Sequence, residues 1–97
     1  MPTPFERAVA RVDALVRERA PHLPASARPE PGPGDTVTWN NDGRWATLTL
    51  HDGGRLELTL HTTTDAHPET LEILIDDADA DGMIAEPVAA LLAGKQP

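Results

Sequence analysis

Residues 36–61 read TVTWNNDGRWATLTLHDGGRLELTLH, and the alternation in this stretch decides the fold. Val37 and Trp39 share one face of a first strand at 36–40. In a second, at 44–51, Ala46, Leu48 and Leu50 lie opposite Trp45, Thr47, Thr49 and His51. A third, at 55–61, sets Leu56, Leu58 and Leu60 against Arg55, Glu57, Thr59 and His61. Successive side chains of a strand point to opposite faces, so this patterning describes an antiparallel sheet covered on one face. The turns set its register. Asp42-Gly43 is a two-residue type I′ signal, which places Trp39 opposite Ala46 and Val37 opposite Leu48. Asp52-Gly53-Gly54 works as a three-residue loop that opposes Leu50 to Leu56, Leu48 to Leu58 and Ala46 to Leu60. A two-residue loop would set Leu50 against Glu57 or Arg55, which an apolar core rejects. On the polar face the same register pairs Trp45 with His61, Thr47 with Thr59 and Thr49 with Glu57.

Further along, residues 70–76 place Leu71, Ile73 and Ile75 inward and Thr70, Glu72, Leu74 and Asp76 outward, a fourth strand after an irregular connection at 62–69. Before the sheet, Phe5, Ala8, Val9, Val12, Leu15 and Val16 fall at helical spacing, which predicts an amphipathic helix over 5–19. Thr3 suits its N-cap, Pro4 its first position, and Pro21 stops it. Residues 21–34, PHLPASARPEPGPG, hold five prolines and two glycines and read as a stiff linker without regular structure. Pro29, Pro31 and Pro33 would also suit an SH3-type groove, but a connector is the simpler use. At the other end, Ile84, Val88, Leu91 and Leu92 recur at helical spacing. Proline fits a first helical turn, so Pro87 predicts a helix from 86 or 87 to 93, ended by Gly94. The expected fold is α+β, a single domain over 1–97 in two layers. Its order is α–β–β–β–β–α, a four-stranded antiparallel meander with both helices on one face.

Composition bounds what such a domain does. With 97 residues it builds one core, and only Phe5, Trp39 and Trp45 are aromatic, so that core is aliphatic. There is no cysteine, which removes disulfides, thiolate metal sites and cysteine nucleophiles. The first residues lack the basic and apolar regions of a signal peptide, and no apolar run approaches the ~20 residues of a membrane span. A soluble, cytoplasmic protein is expected. The net charge is −8 and is unevenly distributed. Residues 1–28 hold five arginines against three acids, a balance of +2, and residues 29–97 hold three basic residues against thirteen acids, a balance of −10. Such a field repels nucleic acid and anionic membrane and attracts cations or basic protein surfaces. The element order is broadly similar to that of double-stranded-RNA-binding domains, which contact phosphates through basic residues around the second helix. Here that region carries Asp77, Asp79, Asp81 and Glu86, so nucleic-acid binding is not expected.

Three groups of residues bear on chemistry. The run Asp76-Asp77-Ala78-Asp79-Ala80-Asp81-Gly82 matches the first half of a calcium loop, with Asp77, Asp79 and Asp81 as side-chain ligands, Met83 as a carbonyl donor and Glu86 nearby. Position 12 of that loop, where a bidentate acid belongs, is Val88. The same acids would also serve as helix caps, favoured by the helix dipole. His61, Asp65 and His67 could approach a zinc ion but lack a fourth ligand, and His51 stands about 20 Å from His61. They read as surface histidines. Nucleophilic catalysis is not expected: Ser26 is the one serine, in the linker, there is no tyrosine, and Lys95 is the one lysine. No glycine-rich phosphate loop occurs, and no cofactor is expected apart from the calcium alternative.

The third group is the outer sheet face, where Trp45, His61, Leu74, Glu57 and Glu72 form a candidate partner-binding surface. An exposed tryptophan on a flat, threonine-rich sheet is a good interface anchor. The leading reading is a non-enzymatic protein-binding module, immunity-, antitoxin- or inhibitor-like, engaging a basic partner or a second copy. A weak calcium module is the alternative, and a subunit that completes another chain's active site is the third reading.

Overall fold

The computed structural model describes residues 3–41, 43–62 and 69–94. Helix α1 (Pro4–Arg19) leads, followed by strands β1 (Glu30–Pro31), β2 (Thr36–Asn41), β3 (Arg44–His51), β4 (Arg55–Thr62) and β5 (Glu69–Leu74), and then helix α2 (Ala80–Leu92). The fold is α+β. The five strands form one antiparallel sheet in chain order.

The register is the one that parity and turn chemistry predict. Trp39 stands opposite Ala46 and Val37 opposite Leu48. Ala46 faces Leu60, Leu48 faces Leu58 and Leu50 faces Leu56. Gly53 and Gly54 take φ of 82° and 78°, the left-handed conformation that the three-residue turn needs and that side chains resist. Asp42 lies outside the described residues.

The strand count and the start of the second helix need correction. The sheet has five strands, not four, because the proline-rich segment contributes β1. Glu30 pairs with Thr38 and Pro31 with Val37. The Gly32 N–H donates to the Thr36 carbonyl at 2.7 Å, so residues 30 and 32 bond β2 while Pro31 turns its nitrogen outward. An edge strand accepts proline in that position because no ladder bond is lost. The second helix begins at Ala80, nearly two turns before the expected start, and carries Pro87 inside it. Proline removes one bond, the one to the Met83 carbonyl, and Met83 is exposed, so water can satisfy that oxygen.

α1 begins as expected. The Thr3 side chain accepts from the Glu6 N–H at 3.1 Å while the Glu6 carboxylate accepts from the Thr3 N–H at 3.0 Å, a reciprocal capping box. α2 ends at Gly94, with φ 71° and its N–H on the Leu91 carbonyl. The Asn41 side chain donates to the Leu92 carbonyl at 2.8 Å, which ties β2 to the end of α2. The inward residues of the strands join the buried faces of both helices in one cluster. α2 lies against β2, β3 and β4, whereas α1 lies chiefly against α2, so the expected layering of two helices side by side on the sheet is adjusted. Val9, Val12 and Val16 are nonetheless buried in that common core. Ile75, expected on a strand, sits in the turn after β5 and still packs against the core. No helix among the described residues is long and apolar enough to cross a membrane.

The linker is anchored rather than merely stiff. Ala27 is fully buried, and the Arg17 guanidinium donates to the carbonyls of Pro24 and Ala27. Arg17 Nε also lies 3.6 Å from Asp13 Oδ1, and that oxygen accepts from Trp39 Nε1 at 3.2 Å. One chain of polar contacts thus joins the core tryptophan, the first helix and the segment that carries the chain to β1.

Candidate functional site

The outward residues of the sheet form a grid set by the strand register. Thr38, Thr47, Thr59 and Thr70 stand side by side across β2 to β5. Beside them run Thr36, Thr49, Glu57 and Glu72. The Thr38–Thr47 and Thr36–Thr49 hydroxyl pairs each lie 3.4 Å apart. β-Branched residues suit a half-buried pleated surface, and paired hydroxyls keep it polar.

At one end of this grid Trp45 stacks on His61, with centroids 5.0 Å apart and planes 9° from parallel. Asn40 flanks the pair. Both rings are half-buried, so the stack covers one face of the indole and leaves the remainder accessible. At the other end Leu74 is 57% exposed. Between these ends, Glu57 and Glu72 stand directly opposite each other. Like charges in that position repel, and each carboxylate is relieved by a neighbour. Glu57 meets His51 Nε2 at 2.8 Å, and Glu72 meets Arg55 at 3.2 Å. The five residues read from sequence as a partner surface are therefore on one side of the sheet, with an aromatic anchor at one end and an exposed leucine at the other.

The threonine row was not singled out as a unit in the sequence reading, although the same register aligns it. Asp13 and Arg17 were also missed: nothing in their local sequence marks them as partners of Trp39 and the linker.

The aspartate run is drawn into the start of α2 and its residues do separate jobs. Asp77 Oδ1 accepts the Asp79 N–H at 2.9 Å, and the Asp77 carbonyl accepts from Ala80. Asp79 is the N-cap residue, but its side chain makes no capping bond. Asp81 lies within the first helical turn and is paired with Arg11 Nε at 2.7 Å. Gly82, Met83 and Glu86 are all helical, and Met83 and Glu86 are exposed. A calcium loop curls its alternate carboxylates round one point, whereas this backbone has already become helix by the third aspartate. No group of three or more acids and histidines is placed to hold a metal among the described residues. Asp65 and His67, the other members of the histidine cluster, lie outside the described residues. With the third aspartate already in the helix and no three acids converging among the described residues, millimolar calcium is expected to leave the melting temperature unchanged, because a ligand stabilises only by binding the folded state. A rise in melting temperature that Asp79→Asn abolishes would restore the cation reading.

A concavity of about 830 Å³ lies between α1 and the linker. Phe5, Val9 and Val37 line its apolar part, and Glu6, Asp13 and Arg28 its polar part. It mixes both charge signs without a focused set of catalytic groups.

Comparison with protein-family models, with curated proteins and with solved structures found no match to this chain.

Proposed function

We propose that this chain is a small, acidic, non-enzymatic binding module whose open sheet face engages a basic surface of a partner protein, as immunity, antitoxin or inhibitor proteins do. The observation that carries the reading is the outer face itself. Both helices contribute to the core on the other side, and the open side presents the Trp45–His61 stack and the Glu57–Glu72 pair together. Trp45 supplies the apolar anchor. The carboxylates and the balance of −10 over residues 29–97 supply attraction to lysine and arginine, and so a fast, oriented encounter. Glu57 and Glu72 would exchange their internal partners His51 and Arg55 for the partner's cations. Those internal pairs are partly exposed and individually weak, so the exchange costs little.

The test is a footprint. In backbone amide NMR, a partner recovered by affinity capture and then purified should perturb Trp45, His61, Thr47, Thr59 and Glu57 and leave α1 and α2 quiet. Trp45→Ser should weaken the complex by about thirtyfold or more, the loss typical of a central tryptophan anchor, without moving the melting temperature far. Affinity should also fall with salt, since opposite charges attract across the interface. A footprint on the helices, or binding indifferent to both Trp45 and salt, refutes the assignment.

A further inference from the structure

β5 ends the sheet: β4 pairs with one of its sides, and among the described residues nothing pairs with the other. Which backbone groups face that open side follows from one bond. The Ile75 N–H donates to the Gly54 carbonyl at 2.8 Å, and the β4–β5 register sets these two residues opposite each other. In an antiparallel ladder such hydrogen-bonded pairs recur at every second residue. Ile73, Leu71 and Glu69 therefore bond β4, while Thr70 and Glu72 direct their N–H and carbonyl groups outward; the Leu74 carbonyl is taken by the Asp77 N–H at 3.0 Å. Edges of this kind are commonly blunted by charged side chains, above all lysine, by proline or by a bulge. Residues 69–74 contain no proline and no lysine, their register with β4 is unbroken, and their two charges, Glu69 and Glu72, leave Thr70 and Leu71 between them uncharged.

The side chains add a second observation. Leu71 has the inward parity of the core and stands opposite Leu58, which is 1% exposed, yet Leu71 itself is 38% exposed. Ile73, on the same face of the same strand, is 6% exposed. The helices stop short of this corner, so the edge combines unpaired backbone groups with an uncovered core-facing leucine.

We propose that β5 pairs antiparallel with β5 of a second copy, about a two-fold axis through Leu71. An axis normal to the sheet keeps both inner faces on one side, so a residue can only oppose one of its own parity. Three central registers fit the described strand. Centring on Glu72 opposes two glutamates. Centring on Thr70 leaves the exposed Leu71 against Glu69, whereas centring on Leu71 sets Glu69 at the strand's end against Ile73, which the domain's own core already covers to 6% exposure. Centring on Leu71 sets leucine against leucine in a non-hydrogen-bonded pair, the kind in which side chains lie closest. Thr70 and Glu72 of one copy then exchange backbone bonds with Glu72 and Thr70 of the other. On the outer face hydroxyl meets carboxylate, and no acid opposes an acid. One register thus joins the two exposed leucines and opposes no two acids, and the occupant that fits it is a second copy. The two five-stranded sheets become one continuous sheet, and the proposed partner-binding faces lie on the same side of it.

The contact is short, below the ~1,200 Å² of standard interfaces, so the dimer is weak. Each copy carries a charge of −8, and like-charged copies repel. Raising salt from about 50 to about 500 mM should therefore tighten the dimer roughly tenfold, the opposite of the salt effect on a basic partner.

Sedimentation equilibrium of the full chain at both salt levels tests this, with two substitutions. Thr70→Pro removes an N–H that points away from β4, so the β4–β5 ladder is kept. Leu71→Lys puts like charges together on the axis at a site exposed enough to tolerate lysine. The wild type should dimerise more tightly at high salt, and each variant should weaken dimerisation at least tenfold while melting like the wild-type monomer. If Thr70→Pro fails to fold, Leu71→Lys decides. A wild type that stays monomeric at high protein concentration in both salts overturns the proposal. So does a dimer that survives Leu71→Lys, including one that Trp45→Ser dissolves, since that would place the contact on the sheet face.

Discussion

Val12→Asp should cost several kcal/mol and leave little of the protein folded at room temperature. Val12 is fully buried, on the side of α1 that turns towards the common core. A carboxylate there has no cation to meet. Arg11 points to the surface and holds Asp81, and Arg17 is engaged with Asp13 and the linker carbonyls. The side chain must be buried without a partner or must push the helix away, and both remove a large share of the ~5–15 kcal/mol that holds a domain together. Ala14→Asp is the control: Ala14 is exposed on the same helix, so the change should cost about 0.5 kcal/mol through helix propensity. Urea denaturation followed by circular dichroism separates the two. Equal midpoints for Val12→Asp and wild type would mean that α1 is a detached arm.

The strands that share the core were legible because two independent signals agree on them. Parity tells which residues face inward, and turn chemistry tells which residues oppose one another. At Leu50 the two can be satisfied together in only one way, and the Leu50–Leu56 pair follows. β1 was illegible because a proline-rich composition argues against ladder bonds, and only the direction of one nitrogen makes Pro31 acceptable. The start of α2 was misplaced for a related reason. The helix tolerates Pro87 because the carbonyl it strands, that of Met83, is on an exposed turn, and exposure depends on how α2 is rotated against β2, β3 and β4. Local sequence does not carry that rotation.

The candidate site divides in the same way. Trp45 with His61 and Glu57 beside Glu72 follow from strand parity and register, so the outer face is legible in the sequence. The aspartate run could not be interpreted from its own spacing. Asp81 meets Arg11, seventy residues earlier in the chain, and α1 brings that arginine to it through helix–helix packing. Likewise Leu71 reads as an ordinary core residue from its parity. Its exposure depends on where the helices stop, a property of the packed domain.

Trp39 offers the second large effect and separates packing from hydrogen bonding. It is fully buried, stands opposite the small Ala46, and donates from Nε1 to Asp13. Trp39→Ala should cost about 3–5 kcal/mol, because Ala46 cannot fill the space left behind. Trp39→Phe should cost less, roughly 1–2 kcal/mol, because it keeps most of the buried ring and loses one hydrogen bond. Asp13 is not stranded by that change, since it is partly exposed and keeps Arg17 at 3.6 Å. Asp13→Ala then tests the chain of contacts from the other end. In the wild type it strands the indole N–H and loosens Arg17, and in the Trp39→Phe background only the Arg17 effect remains, so the second cost should be smaller. Urea midpoints for the four proteins of this cycle give the coupling directly. Fluorescence supplies an internal check, because the chain has two tryptophans and Trp39→Phe leaves Trp45 alone. The blue-shifted emission of the buried indole should vanish while that of the half-buried Trp45 persists. If Trp39→Phe proved as costly as Trp39→Ala, the bond to Asp13, and not the volume opposite Ala46, would be what secures β2 to the first helix.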